Sequence, residues 1–411
     1  MALIQASIEQ LRVGHYIHLP TGWTSHPFMF NAFKIKDQQQ LDIIRHLDLN
    51  LLMVDPDKSD LPIEPILRGD IPSAGPDLSI IDEVIDTGPP PFDEKAFRRS
   101  LRAADKAFGQ SMSELRDALG ALNLKPDEGL ANTAQIVRNA AARISEHEGP
   151  LGLHLIRSPH TDILLQHSLN VAFIAMLMAR ELGMNPIEIE ETGLAGLVHD
   201  IGELKIPSQI TQKRGDLNKS EQNFLKMHPQ YGLEMLTQLQ AFEPKIRQVA
   251  HLHHERLDGS GFPLGIKGGE IPPLARIIGL VDYYDELLHP RSSATPAAPS
   301  QAISQLYKLS QKKFDQDLVK LLIKVLGVYP PGSLVLLSDS SVALVLSTEP
   351  TMPLKPKVLP YIKAQRPEGV AMLDLREDER TIKSFIKQED LDEGQRLFFN
   401  LTRRFCYYFA F

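Results

Sequence analysis

The stretch His251–Leu288, HLHHERLDGSGFPLGIKGGEIPPLARIIGLVDYYDELL, decides how the chain is read. It opens with three histidines in four positions, breaks into a Gly-Ser-Gly-Phe-Pro turn, and closes with an apolar helix interrupted by Asp282 and Asp285. An Asp in the middle of an apolar helix is costly to bury unless it is paired or bound to a metal. Further out the pattern repeats. His167 lies on LLQHSLNVAFIAMLMA, His199 and Asp200 end ETGLAGLVHDIG, and His228 opens HPQYGLEML. Taken singly, each has a bland account as a hydrogen-bonded core histidine, a salt-bridged carboxylate or part of a solvated helix face. Together, five His and an Asp on successive helical segments, most of them apolar, have no simple packing explanation.

A helical bundle with inward-pointing His and carboxylate side chains is a standard way to hold two metal ions. Neutral imidazoles and carboxylates suit divalent Fe, Mn, Zn or Ni, and the single cysteine, Cys406, removes a Cys-rich zinc site and an intramolecular disulfide framework. Two adjacent metals lower the pKa of water and clamp the oxygens of an in-line phosphoryl displacement. Hydrolysis of a phosphate ester is the chemistry implied.

Length and charge bound the rest. At 411 residues and 43% hydrophobic content the chain can bury two or three cores, at ~150 residues per domain. The formal net charge is −8 and the 44 basic residues form no long block, which argues against a nucleic-acid polymer as partner. The N-terminus lacks the layout of a signal peptide, and VAFIAMLMA (Val171–Ala179) is far shorter than the ~20 apolar residues of a bilayer span. A cytoplasmic location is expected.

The expected fold class is mainly α: a helical bundle with a small α+β domain before it and a small β-rich appendage after it. Residues 1–56 alternate and then turn helical over KDQQQLDIIRHLDL, as a small α+β domain does. Pro and Gly break up residues 57–92, read as a linker. Residues 93–149 carry two amphipathic helices that lead into the next domain or form a dimer contact. Residues 150–328 read as almost wholly helical. Residues 329–411 hold a hairpin over LVLLSDSSVALVL, a third strand in PKVLPYI and a closing helix over DEGQRLFFNLTRRFCYYF.

The motifs HSLNVA, LVHDIGELKIP, MHPQYG and the opening stretch resemble, in order and spacing, the HD-GYP domain, a branch of the HD metal-dependent phosphohydrolases that degrades cyclic di-GMP. The N-terminal region resembles the small uncharacterised domain that often precedes it. Carried over position by position, the resemblance implies His167, His199, Asp200, His228, His253, His254 and Asp282 as metal ligands, with Asp200 bridging the ions and holding the nucleophilic water. It implies two divalent ions, Fe or Mn first, with Ni or Zn as alternatives. Gly261, Phe262 and Pro263 fall in the family's loop, Phe262 standing in the Tyr place, and Arg291 matches the first arginine of a phosphate-binding segment.

Three departures stand out. Ile163 occupies the position where some members carry a Glu associated with a third metal, which favours two ions. Glu203 replaces a phosphate-contacting lysine; Lys205, two residues on, is expected to compensate for it. Ser292, Ser293 and Ala294 follow Arg291, so one phosphate-binding cation is missing. The function implied is a cyclic di-GMP phosphodiesterase yielding pGpG and, on further cleavage, GMP. Glu203 and Ala294 support the alternative, a weakly active or inactive cyclic-dinucleotide receptor signalling through protein partners. A phosphohydrolase for another nucleotide is the third reading.

Overall fold

The computed structural model describes residues 4–7, 11–18, 32–35, 51–62 and 91–411, except 123, 158–161, 214, 241, 292–294, 311, 351 and 402–403. The expected N-terminal helix, most of the linker, and Ser292, Ser293 and Ala294 lie outside the described residues. The chain divides into two compact units, Met1–Pro89 and Pro90–Phe411. In the first, β1 (Ile4–Ser7), β2 (Tyr16–His18), β3 (Ala32–Lys34) and β4 (Leu51–Asp55) form an antiparallel sheet in the order β1-β4-β2-β3. Ala6, Ile17, Ile35 and Val54 are buried.

The second unit opens with α1 (Glu94–Ala121) and α2 (Pro126–Glu146). Phe97, Ala104, Phe108, Met112, Leu115 and Ala118 recur at helical spacing on α1, and this stripe is buried within the chain. After β5 (Gly152–Arg157) come α3 (Ile163–Glu181), α4 (Pro186–Val198), a 3-10 turn (Ile201–Lys205), α5 (Ser208–Thr211), α6 (Lys219–Leu225), α7 (His228–Gln238), α8 (Pro244–Leu252), α9 (Pro273–Leu288), α10 (Pro299–Leu309) and α11 (Gln316–Leu326). The starts are set locally. Asp162 caps α3, and Asn185 and Glu188 cap α4 reciprocally, a contact typically worth about 1 kcal/mol. Among the described residues α3 is the one helix long and apolar enough to cross a membrane, and 83% of its most apolar stretch is buried inside the protein.

The C-terminal part adds β6 (Leu334–Leu337), β7 (Val342–Ser347), β8 (Lys357–Pro360), β9 (Leu373–Asp374), β10 (Ile382–Phe385), α12 (Glu393–Phe399) and β11 (Phe405–Ala410). The sheet runs β10-β6-β7-β5-β11, with β8 on β7 and β9 on β8. The alternation of strand side chains divides it into two faces. Leu334, Leu344 and Leu346 join the main helical core, whereas Val335, Leu337, Ala343 and Val345 build a smaller one with Val358 and Leu375.

Two expectations are corrected. GLHLIR, expected within a helical region, is strand β5, because its short continuous apolar run is buried between β7 and β11. The closing segment is helical only to Phe399; Asn400, in the left-handed region with φ 47°, ends the helix, and the aromatic run that follows pairs with β5 from Phe405↔Arg157 to Ala410↔Gly152. The β-rich C-terminal part is as expected and packs on the helical bundle. Tyr407 and Phe409 lie in one core with Leu169 and Phe173 of α3.

Candidate metal centre

The seven expected ligands reach the centre from five helices and a 3-10 turn. His167 projects from α3, His199 follows the last turn of α4, Asp200 opens the 3-10 turn, His228 begins α7, His253 and His254 follow α8, and Asp282 sits two turns from the end of α9. All seven are buried. They fall into two groups whose ligand atoms lie within 4.8 Å of one another: His167, His199 and Asp282 in one, Asp200, His228, His253 and His254 in the other. Glycine makes the assembly possible. A Cβ on Gly202 would lie 2.0 Å from the His228 carbonyl oxygen, so only glycine lets the 3-10 turn reach the start of α7.

The two aspartates span the groups. Asp200 Oδ1 lies 3.2 Å from His228 Nε2 and 3.4 Å from His253 Nε2, while Oδ2 lies 3.5 Å from His199 Nε2 and 3.7 Å from His167 Nε2. Asp282 Oδ1 is 3.2 Å from His167 Nε2, and its Oδ2 is 3.5 Å from His254 Nδ1.

The hydrogen bonds on the far side of the rings decide what faces inward. Nδ1 of His199, His228 and His253 donates to the carbonyls of Gly196 (2.7 Å), Leu225 (2.8 Å) and Val249 (3.1 Å), and Nδ1 of His167 donates to Asp285 Oδ2 at 2.7 Å. With the proton on Nδ1, every Nε2 is a lone pair turned to the centre. Two such pairs face each other, His167 with His199 at 3.2 Å and His228 with His253 at 3.3 Å. Asp200 Oδ1 and Asp282 Oδ2 are buried without a hydrogen-bond donor. Opposed lone pairs beside undonated carboxylate oxygens fit divalent cations, and oxygen and imidazole donors suit transition ions.

The electrostatics agree. Burial works against ionising Asp200 and Asp282, but the surrounding imidazoles outweigh it and hold both well below the usual carboxylate range. Burial likewise opposes charge on His167, yet Asp282 and Asp285 push it up to about 10, so without a cation Nε2 takes up a proton that a bound metal would displace. His253 and His254 move down through burial. A pocket that concentrates buried anionic oxygens around imidazoles is one that a cation stabilises.

The loop after α8 closes one side. Gly261 packs against the backbone of residues 254–256, where a Cβ would meet atoms at 2.5 Å. Glu255 Oε1 accepts from Leu264 N (2.7 Å) and Gly265 N (3.0 Å) and ties the loop down. The half-buried Phe262 ring stacks on His254 at 4.5 Å and 24°, with Lys226 Nζ 5.5 Å from its centroid. Pro263 is exposed.

Arg291 reaches the centre, its Nη2 donating to Asp200 Oδ2 at 3.2 Å and its Nη1 paired with Glu203 Oε1. Glu203 is therefore not a free charge facing solvent. It is buried, and burial raises its pKa against the pull of Arg291. Lys205 lies apart from it: three residues per turn carry its side chain away from the direction of Glu203, and it is exposed, pairing with none of the described residues.

Sequence reasoning assigned no role to Asn170, Asp285, Glu286, His289 or Arg404. Asn170 and Asp285 carried a signal, each a buried polar residue three positions after a ligand on an apolar helix. Arg404 carried none.

Residues 131–318 match the HD domain family. The helical bundle is an HD domain. Residues 3–132 match DUF3391, a domain of unknown function, so the two profiles together run from the first unit through the metal centre of the HD domain. A cyclic di-GMP phosphodiesterase of Pseudomonas aeruginosa is 28% identical over 365 residues, 87% of this chain and 85% of that protein. The cyclic di-GMP phosphodiesterase response regulator RpfG of Xanthomonas campestris pv. campestris is 35% identical over 38% of this chain and 41% of its own. A 3'3'-cGAMP-specific phosphodiesterase of Vibrio cholerae is 35% identical over 36% of this chain and 33% of its own. This chain thus spans most of the first relative and less than half of the other two.

Proposed function

We propose that the HD domain is a metal-dependent phosphodiesterase that hydrolyses cyclic di-GMP to pGpG and, by a second cleavage, to GMP, in bacterial second-messenger signalling in the cytoplasm. The observation that carries the reading is Asp200, whose two oxygens face opposite histidine pairs. The first relative is named for this activity and is matched over most of its length. Relatives named as phosphodiesterases do not favour the alternative of an inactive receptor.

Two ions, Fe or Mn, would be held by His167, His199 and Asp282 on one side and by His228, His253 and His254 on the other, with Asp200 between. When bound, such ions would supply Lewis acidity toward a phosphoryl oxygen and lower the pKa of water toward neutral. The protein's own groups do the rest. Nδ1 donors behind the rings fix the tautomers. Arg291, steered by Glu203 and Asp200, offers a guanidinium to a substrate phosphate. Phe262, backed by His254, presents an aromatic face and Lys226 a cation beside it, suited to a base and its phosphate.

The test is product analysis with Mn2+- or Fe2+-loaded protein, offered cyclic di-GMP and 3'3'-cGAMP in parallel, with Asp200→Ala as control. Hydrolysis of cyclic di-GMP to pGpG, lost together with metal in the variant, is expected. Preference for 3'3'-cGAMP would retain the chemistry and replace the substrate; turnover by a variant that keeps both ions would remove Asp200 from its bridging role.

A further inference from the structure

Behind the metal centre, Asp285 gathers an unusual set of donors. It is fully buried, and it accepts from His167 Nδ1 (2.7 Å), Asn170 Nδ2 (2.8 Å) and Arg404 Nη2 (3.3 Å), with His289 Nδ1 3.4 Å away. Arg404 is the one Lys or Arg paired with it among the described residues, and it lies 119 positions along the chain, immediately before β11.

That strand is held in place twice. On one side it pairs residue for residue with β5. On the other it is an edge of the sheet, and its backbone groups need partners. Two residues apart, Phe405 and Tyr407 turn theirs the same way. Tyr407 N donates to Asn170 Oδ1 at 3.1 Å, Asn170 Nδ2 donates to Phe405 O at 3.3 Å, and Phe405 N donates to His289 Nε2 at 3.1 Å. The side chains of α3 and α9 thus stand where the next strand would, and the residues that complete the sheet edge are those that orient Asp285.

We infer that Arg404 is a positioning residue for the His167–His199–Asp282 half of the centre, acting through Asp285. Its guanidinium pairs with the same oxygen that receives His167 Nδ1–H, and so fixes the rotation of the carboxylate and the direction in which His167 Nε2 points. This rests on the two-ion reading proposed above.

The test compares full-length wild type, Arg404→Met, Arg404→Lys and Arg143→Met by equilibrium dialysis against Mn2+, with circular dichroism to confirm folding. Arg143 also touches β11, through Tyr408 Oη at 3.2 Å, and so controls for general loosening of the strand. Wild type is expected to bind two Mn2+. Arg404→Met should weaken one of them by roughly 10–100-fold and leave the other, as outer-shell substitutions do. Arg404→Lys should recover most of the loss, and Arg143→Met should match wild type. If Arg404→Met does not fold, Arg404→Gln carries the same expectation. A folded Met or Gln variant that binds both ions like wild type overturns the inference, as does an equal loss in Arg143→Met. A wild type that takes up no Mn2+ overturns the metal reading itself.

Discussion

The two halves of the metal centre are built differently. In one half His167 is backed by a side-chain network in which Asp285, Asn170, His289 and Arg404 tie α3 and α9 to the edge of the C-terminal sheet, while its neighbour His199 rests on the Gly196 carbonyl. His228 and His253 are backed by carbonyls of their own local turns, and His254 by the Phe262 ring. The first half is anchored across the whole unit; the second is assembled from neighbouring segments and opens toward the loop and Arg291. On the proposed function, the difference separates a half that fixes geometry from a half that would meet substrate, and it sorts the expected effects of substitution.

The largest effect is expected at the open half. Glu203→Lys removes the buried partner of Arg291 and sets a like charge beside it, which should lower stability by about 3–5 kcal/mol. Chemical denaturation measures this; an unchanged stability, or a gain in cyclic di-GMP affinity, would mean that Glu203 faces substrate. At the anchored half, Asp285→Asn should weaken one Mn2+ site by roughly 10–100-fold and leave the other, read by dialysis. Equal weakening of both would erase the distinction between the halves.

A smaller effect concerns pH. Burial and the charge of Asp282 push Glu286, one turn beyond Asp282 on α9, up to about 7 from an ordinary value of 4.5. Between those values the folded protein holds a proton that the unfolded chain has released. The contribution to stability is therefore full below about 4.5 and is lost as pH rises through about 7. Metal-free Glu286→Gln should lose less melting temperature than wild type between these limits. An identical pH slope would contradict the placement. The smallest change is expected for Phe262→Tyr, which keeps the stacked ring and should alter turnover by no more than a few fold; a hundredfold gain would give the hydroxyl a chemical role.

The contrast between the halves also explains what the sequence could reveal. The seven ligand positions stood out because each places a polar group on or beside an apolar helix, where burial forces a partner to exist. Asn170 and Asp285 obeyed the same rule, but nothing in the text named what they held. Arg404 was invisible, since its neighbours read as the continuation of a helix and only the left-handed turn at Asn400 frees them to become a strand. The directions of Glu203 and Lys205 were illegible for a related reason: a 3-10 turn sets which of the two points inward, and the composition of the segment does not reveal it.

The central claim is that Asp200 joins two metal positions, one in each half. Anomalous diffraction at the manganese edge, from crystals of the full chain grown with Mn2+, tests it directly. Two peaks are predicted, one among His167, His199 and Asp282, the other among His228, His253 and His254, with Asp200 contributing an oxygen to each. A single peak, or a pair that Asp200 does not connect, would contradict the account.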